Sequence, residues 1–291
     1  MHMRSFGMIE TSANEQQSTY WTENAGRQWV QQQTQFDRQL VHFGNAALGA
    51  LQAQPGEHIL DIGCGTGTTT LAIADAVGPT GWVIGADIST TMIAASSERT
   101  IGRPTVSFVV ADAQTDRIAP IDHDADAMFS RFGVMFFADP TAAFTNLASN
   151  VRSGGRLTFV CWQREELNEW ISLPAQIMRT FTPEPVLPPA NAPGPFAFRD
   201  RDRVRSVLTA AGWSAVQIEP FSAPTVLGAG LGLEAAVKQS MSTRAGEGLR
   251  AQVDEATFAA AHDAIRAEFS GRLVDDAVSF DGNVWLVTAE R

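Results

Sequence analysis

The run Leu60-Asp61-Ile62-Gly63-Cys64-Gly65-Thr66-Gly67 puts an acid on the end of an apolar strand and three alternate glycines directly behind it. Glycine lets a backbone turn tightly and approach a ligand with no Cβ in the way, and the carboxylate of Asp61 is placed to receive a donor group. A nicotinamide fingerprint would need glycine at 63, 65 and 68, but position 68 is Thr and a leading acid is not part of that pattern. The run fits a charged sulfonium nucleotide. Its structural alternative is a tight strand-to-helix turn that holds no ligand.

Downstream the design recurs. Gly81-Trp82-Val83-Ile84-Gly85-Ala86-Asp87 is a second apolar strand ending in an acid, the position from which a carboxylate grips a ribose diol. Val106-Ser107-Phe108-Val109-Val110-Ala111-Asp112 repeats it, and Ala125 to Phe132 enters a fourth loop. A single acid behind a strand is commonly an N-cap or a solvated turn residue, and Asp87 could cap a helix beginning near Ser89. Three such acids, separated by helix-sized gaps, are less easily explained one by one.

With Ser130-Arg131-Phe132-Gly133-Val134-Met135-Phe136-Phe137-Ala138-Asp139-Pro140 and Arg152-Ser153-Gly154-Gly155-Arg156-Leu157, these runs resemble the class I S-adenosylmethionine-dependent methyltransferases. The pattern is nearest to the small-molecule group that includes the quinone methyltransferases. It covers about residues 20 to 220 and is closest from 58 to 162. The resemblance implies an α/β fold, a Rossmann-like doubly wound, mostly parallel sheet of the seven-stranded type with helical lid insertions, and S-adenosylmethionine as cofactor. It further implies that Asp61, Gly63 and Gly65 cradle the methionine part, with Cys64, Thr66 and Gly67 in the same loop. Asp87 would bind the ribose hydroxyls and Ile88 would lie on one face of the adenine. Asp112 would accept from the adenine amino group, Ala113 would offer a backbone contact, and the Ser130 backbone would lie near the methionine ammonium. Carboxylates suit these roles, since they accept from hydroxyl and amino groups and stay ionised at neutral pH.

At 291 residues with 44% hydrophobic content, the chain can fill one α/β core and carry an elaboration. A net charge of −11 disfavours a nonspecific grip on nucleic acid or anionic membrane, which requires a basic surface. Two cysteines, Cys64 and Cys161, make no disulfide framework, and no metal-ligand spacing is present. Arsenic methylation, a thiol-dependent branch of the wider family, is disfavoured for the same reason. No apolar run reaches the length of a membrane span, so the expected chain is soluble and cytoplasmic, takes a small-molecule substrate, and could form a homodimer.

Four parts follow from the pattern. Residues 1 to 18 are polar and expected to fray, and residues 19 to 55 form an N-terminal helical lid, with Gly44 and Asn45 as a potential break. Residues 56 to 162 form the cofactor-binding core. Residues 163 to 291 supply the rest of the sheet, with strands at Ser214–Glu219 and Asn283–Ala289, and substrate-lid insertions at about 163–198 and 229–271.

Methyl transfer is an in-line displacement at a carbon already activated by the sulfonium, so alignment and exclusion of water matter most and no general base need exist. Should a base help, His42, His262 and Glu169 are the candidates; a lone histidine on an apolar helix face is more often a hydrogen-bonded structural residue. Tyr20, Trp29, Phe132, Trp162 and Trp170 are candidate walls of the acceptor pocket and Asn168 its polar contact, against the alternatives of core packing and a helix cap. Competing functions are a noncatalytic S-adenosylmethionine-binding protein of the same fold and a nucleotide-sugar or nicotinamide enzyme.

Overall fold

A computed structural model of the chain describes residues 13–183, 189 and 191–291; most of the expected frayed start and part of the proline-rich stretch after Phe181 lie outside them. The fold is α/β. One sheet runs in the order β3-β2-β1-β4-β5-β8-β6, with a short β7 paired to β8. The strands are β1 (His58–Ile62), β2 (Trp82–Asp87), β3 (Val106–Val110), β4 (Ala125–Arg131), β5 (Val151–Trp162), β6 (Ser214–Leu227), β7 (Leu273–Val274) and β8 (Ala277–Glu290). From β3 through to β5 the pairs are parallel, and β8 lies antiparallel between β5 and β6. The extra strand beyond the expected seven is the two-residue β7.

Composition explains the centre of the sheet. Ile59, Leu60, Asp61 and Ile62 of β1 are all buried, as a strand covered on both faces requires, and Val83, Ile84 and Ala86 of β2 follow suit. The covering helices include α3 (Gln33–Leu51), α4 (Thr68–Val77), α5 (Thr90–Glu98), α6 (Pro140–Ala148) and α8 (Arg201–Ala210). Side chains start several of them. Ser89 caps α5 by accepting from Met92 N, Asp139 caps α6 ahead of Pro140, and Asp200 caps α8. Buried Asn150 ties the loop before β4 to the sheet by accepting from Ile118 N and Ala119 N at 2.8 and 2.9 Å.

Three elements depart from expectation. The long helix α3 is unbroken at Gly44, where a Cβ would stand 3.2 Å from Arg131 Cδ. β6 continues past Glu219 through Pro220 and Pro224, residues that argue against a central strand but are tolerated here because β6 is an edge. Its partner β8 starts at Ala277, earlier than Asn283, and at Gly282 a Cβ would fall 2.4 Å from Phe43 Cζ.

These long outer strands carry a second lobe. Helices α7 (Glu169–Phe181), α9 (Leu233–Met241), α10 (Arg244–Arg250) and α11 (Glu255–Ser270) enclose their own apolar cluster, which includes Met178, Val237, Leu249, Ile265, Phe269 and Phe280. At the other end of the chain, residues expected to fray are helical from Ala13: α1 (Ala13–Thr19), a π-turn (Tyr20–Asn24) and α2 (Ala25–Gln31). The wider turn presents two carbonyls outward to α5. Trp21 O accepts from Ser89 Oγ and Thr22 O from Thr91 Oγ1, each at 2.8 Å.

Candidate functional site: the carboxyl edge of the central strands

The chain order reverses between β1 and β4, and ligands of open parallel sheets bind in the crevice beyond that point. The loop from Gly63 to Gly67 lies there. Gly63, Gly65 and Gly67 all have positive φ, of 66°, 55° and 82°, a conformation that costs glycine nothing. Close approach adds to this at Gly63, where a Cβ would stand 2.6 Å from Gly133 Cα. Cys64 is buried, its sulfur 3.0 Å from the place a Cβ on Gly85 would take, and burial holds its thiol well above the usual range. That packing makes it a structural member of the loop.

Asp61 is fully buried. Its Oδ2 accepts from Thr69 Oγ1 at 2.8 Å and Thr70 Oγ1 at 2.6 Å, while its Oδ1 has no hydrogen-bond partner. Burial pushes its carboxyl up to about 6, against the pull of the two threonines and of the Arg131 charge. A buried carboxylate oxygen without a donor fits a cationic ligand group at this spot. Thr66 Oγ1, in the same loop, is likewise buried without a partner.

Asp87, half-buried at the end of β2, has both oxygens on backbone: Oδ2 accepts from Gly65 N and Oδ1 from Ser89 N, each at 2.9 Å. The helix cap is therefore Ser89, and Asp87 instead braces the glycine loop. Each of its oxygens keeps a lone pair for a hydroxyl donor. Burial raises its carboxyl, against those backbone bonds. Ile88 follows it, half-buried.

Asp112, just beyond β3, accepts from Gln114 N at 2.9 Å and, across the crevice, from Asn14 Nδ2 of α1 at 2.7 Å. Ala113 is buried beside it and its carbonyl accepts from Asn146 Nδ2. Ser130, buried near the end of β4, accepts from Gly133 N through its hydroxyl at 3.2 Å. Thus Asp61, the glycine loop, Asp87, Ile88, Asp112, Ala113 and Ser130 all stand along one edge of the sheet.

The expected pocket walls divide. Phe132 and Trp162 stack at 4.4 Å, with Phe43 edge-on to both and Trp170 tilted 4.8 Å from Trp162. Phe132 holds φ at 62°, uncommon for a bulky residue and a form of strain that clusters at functional sites. Trp29 stacks on Phe36 at 4.2 Å, and its Nε1 stands 3.7 Å from where a Cβ on Gly65 would be. Tyr20 sits further out, edge-on to Trp21 with the Arg244 guanidinium 4.7 Å over its ring.

The polar candidates lie elsewhere. His42 is exposed on α3, and His262, half-exposed on α11, is 3.6 Å from Asp263. Glu169 makes a surface ion pair with Arg272 at 2.9 Å. Asn168 is buried and spends its amide on structure, donating to Arg164 O and Asn283 O and accepting from Asn283 N at 2.8 Å. None of the four faces the glycine loop through any of these contacts. Asp37 and Arg131, absent from the expected site residues, form a sheltered ion pair at 3.1 Å with Thr68 Oγ1 donating to Asp37 at 2.7 Å. Arg131 was visible as a cation interrupting an apolar strand end. Asp37, one acid on an exposed-looking helix, carried no signal. Among the described residues no cluster of metal-ligating side chains occurs, and no helix is long and apolar enough to cross a membrane.

A glycine loop flanked by acids on β1, β2 and β3, in a sheet whose seventh long strand is antiparallel, is the arrangement that the resemblance to class I methyltransferases predicts. Comparison agrees: residues 59–155 match the family described as "Methyltransferase domain". A demethylmenaquinone methyltransferase from Beutenbergia cavernae is 37% identical over 112 residues, 38% of this chain and 43% of that protein. The aklanonic acid methyltransferase DauC of Streptomyces sp. strain C5 is 30% identical over 135 residues, 44% of this chain and 60% of that protein. Among solved structures, the YcgJ protein of Bacillus subtilis superposes with a TM-score of 0.55 at 18% identity, covering 86% of this chain and 98% of that one. The chain spans less than half the length of the first curated relatives it matches. The chain therefore shares the fold of these proteins and matches a methyltransferase domain over residues 59–155.

Proposed function

We propose that the chain transfers a methyl group from S-adenosylmethionine to an oxygen, nitrogen or carbon atom of a small, partly apolar acceptor. The observation that carries this is the partnerless Oδ1 of buried Asp61 beside a loop of three positive-φ glycines, a polar cradle set for a cationic group. The bound cofactor supplies an electrophilic methyl group on a sulfonium. The residues of this chain bind and orient it: Asp61 and the loop hold the methionine end, Asp87 the ribose, and Asp112 with Ala113 the adenine. Exchange of the Asn14 amide for the adenine amino group at Asp112 fits that last role, since both are N–H donors.

Acceptor alignment falls to half-buried Trp170, set against the packed core rings of Phe132, Trp162 and Phe43, which keep water from that side. With His42, His262 and Glu169 away from the crevice, in-line displacement here proceeds by positioning and desolvation, with no general base drawn from those three residues. The demethylmenaquinone and aklanonic acid in the names of the two relatives support a small-molecule acceptor.

Thermal unfolding tests this reading. Saturating S-adenosylhomocysteine should raise Tm by mass action and NADH should leave it in place. An unmoved curve with S-adenosylhomocysteine, beside a shift with NADH, would reverse the assignment.

A further inference from the structure

We infer that Arg131 is the receptor for the carboxylate of the cofactor's methionine end, working with Asp61 Oδ1 as the receptor for its ammonium. The inference rests on the cofactor reading above and adds to it a residue and a division of labour. Three observations carry it. In the first, Asp61 pairs in register with Phe129 of parallel β4, so Arg131, two residues beyond Phe129, leaves the sheet on the same face as Asp61, about 7 Å further along. The crevice lies on that course, and the Arg131 charge offsets a part of the rise that burial imposes on the Asp61 carboxyl.

The second is an excess of donors. The Arg131 side chain is only 9% exposed, yet among the described residues its one hydrogen bond is Nη2 to Asp37 Oδ1 at 3.1 Å. A guanidinium has five N–H donors in a planar fork shaped for a carboxylate, so most of those on Arg131 are not spent on the described protein. The third is the complementary excess: Asp61 Oδ1, buried, lacks a donor. A sheltered cation short of acceptors and a buried anion short of donors, on one face of neighbouring strands, match the two charges of an α-amino acid. Asp37 then holds the guanidinium in place, anchored in turn by Thr68 at the start of α4.

Calorimetry on the full chain separates the ends of the ligand. S-adenosylhomocysteine carries the amino-acid group, 5′-deoxy-5′-methylthioadenosine lacks it, and decarboxylated S-adenosylhomocysteine lacks only the carboxylate. Arg131→Gln should weaken S-adenosylhomocysteine about tenfold to a hundredfold and leave methylthioadenosine within about twofold, as loss of a charge-assisted pair predicts. Should Arg131→Gln not fold, the unaltered protein decides: it should bind S-adenosylhomocysteine at least about tenfold more tightly than the decarboxylated compound. Equal losses for both ligands in the variant, no loss, or no preference for the carboxylate in the unaltered protein would overturn the assignment. Failure of the unaltered protein to bind any of the three would instead remove the cofactor reading itself.

Discussion

Asp87 has a structural bond on each carboxylate oxygen besides the ligand role proposed for it. Because it accepts from Gly65 N and Ser89 N, its removal unties the glycine loop from β2 as well as leaving a ribose diol without an acceptor. Asp87→Ala should weaken S-adenosylhomocysteine about tenfold to a hundredfold, and Asp87→Asn by less, since the amide oxygen still accepts. A loss of about 1 kcal/mol in stability should accompany Asp87→Ala, from the two backbone donors left behind. Calorimetry and denaturant unfolding on the same variants check both, and affinity left intact beside lowered stability would reduce Asp87 to a loop brace.

Asp61 sets a pH dependence with a definite sign. Its carboxyl is raised to about 6 by burial, so the folded chain holds this proton where the unfolded chain has released it. Its contribution to stability is therefore present below the ordinary carboxylate range and is lost as pH rises to about 6, at most about 1.4 kcal/mol per unit. A cationic ligand group reverses that balance by favouring the ionised form. Affinity for S-adenosylhomocysteine should accordingly climb as pH rises through about 6 and level off above it, and Asp61→Asn should flatten both curves. Titrations of binding and unfolding from pH 5 to 8 test this. A binding curve with the same slope in the variant would assign the effect to another group.

At the scale of elements, the loop between β1 and α4 is held by backbone against backbone. Gly63 and Gly133 meet with no room for a Cβ on either, and the nearest atoms cannot swing aside as a side chain would. Gly63→Ala should destabilise the fold by about 1–3 kcal/mol and loosen the cofactor loop with it, since positive φ and overlap act together. Chemical denaturation gives the first quantity and S-adenosylhomocysteine binding the second; a variant of unchanged stability would show that β4 can retreat.

The contacts of the N-terminal elements with the crevice include Asn14 on Asp112, two carbonyls of the π-turn on α5, Trp21 on Phe136, and Trp29 over the loop. Such segments open locally. Amide exchange in residues 13–31 should slow when cofactor binds, together with the stretches flanking β6. Protection equal with and without S-adenosylhomocysteine would exclude closure of these elements over the ligand.

Across the whole molecule two apolar cores share one sheet. The larger lies under the parallel strands that bear the glycine loop, and the smaller sits on the outer ends of β6 and β8 among α7, α9, α10 and α11. Trp170 packs against both, and Trp162 beside it stacks on the strained Phe132. The acceptor region proposed above thus falls at the seam between the two cores.

Local sequence placed the acids and glycines on one sheet edge, because contiguous strand-loop-helix units carry them: Asp61 with its glycines, Asp87 before α5, and Asp112 behind β3 each lie within a few residues of a strand end. The short strands and α4 to α6 were legible for the same reason, since period, caps and prolines are local signals. Tertiary structure alone decided the rest. Edge position made Pro220 and Pro224 acceptable in β6, and Gly44 sits against the Arg131 stem inside an unbroken α3. Asn168 became a strut for β8, His42 faced outward, and Asp37, almost a hundred residues away in the chain, came to rest against Arg131. Burial, register and the pairing of distant charges depend on what lies across the fold, and no window of sequence contains both partners.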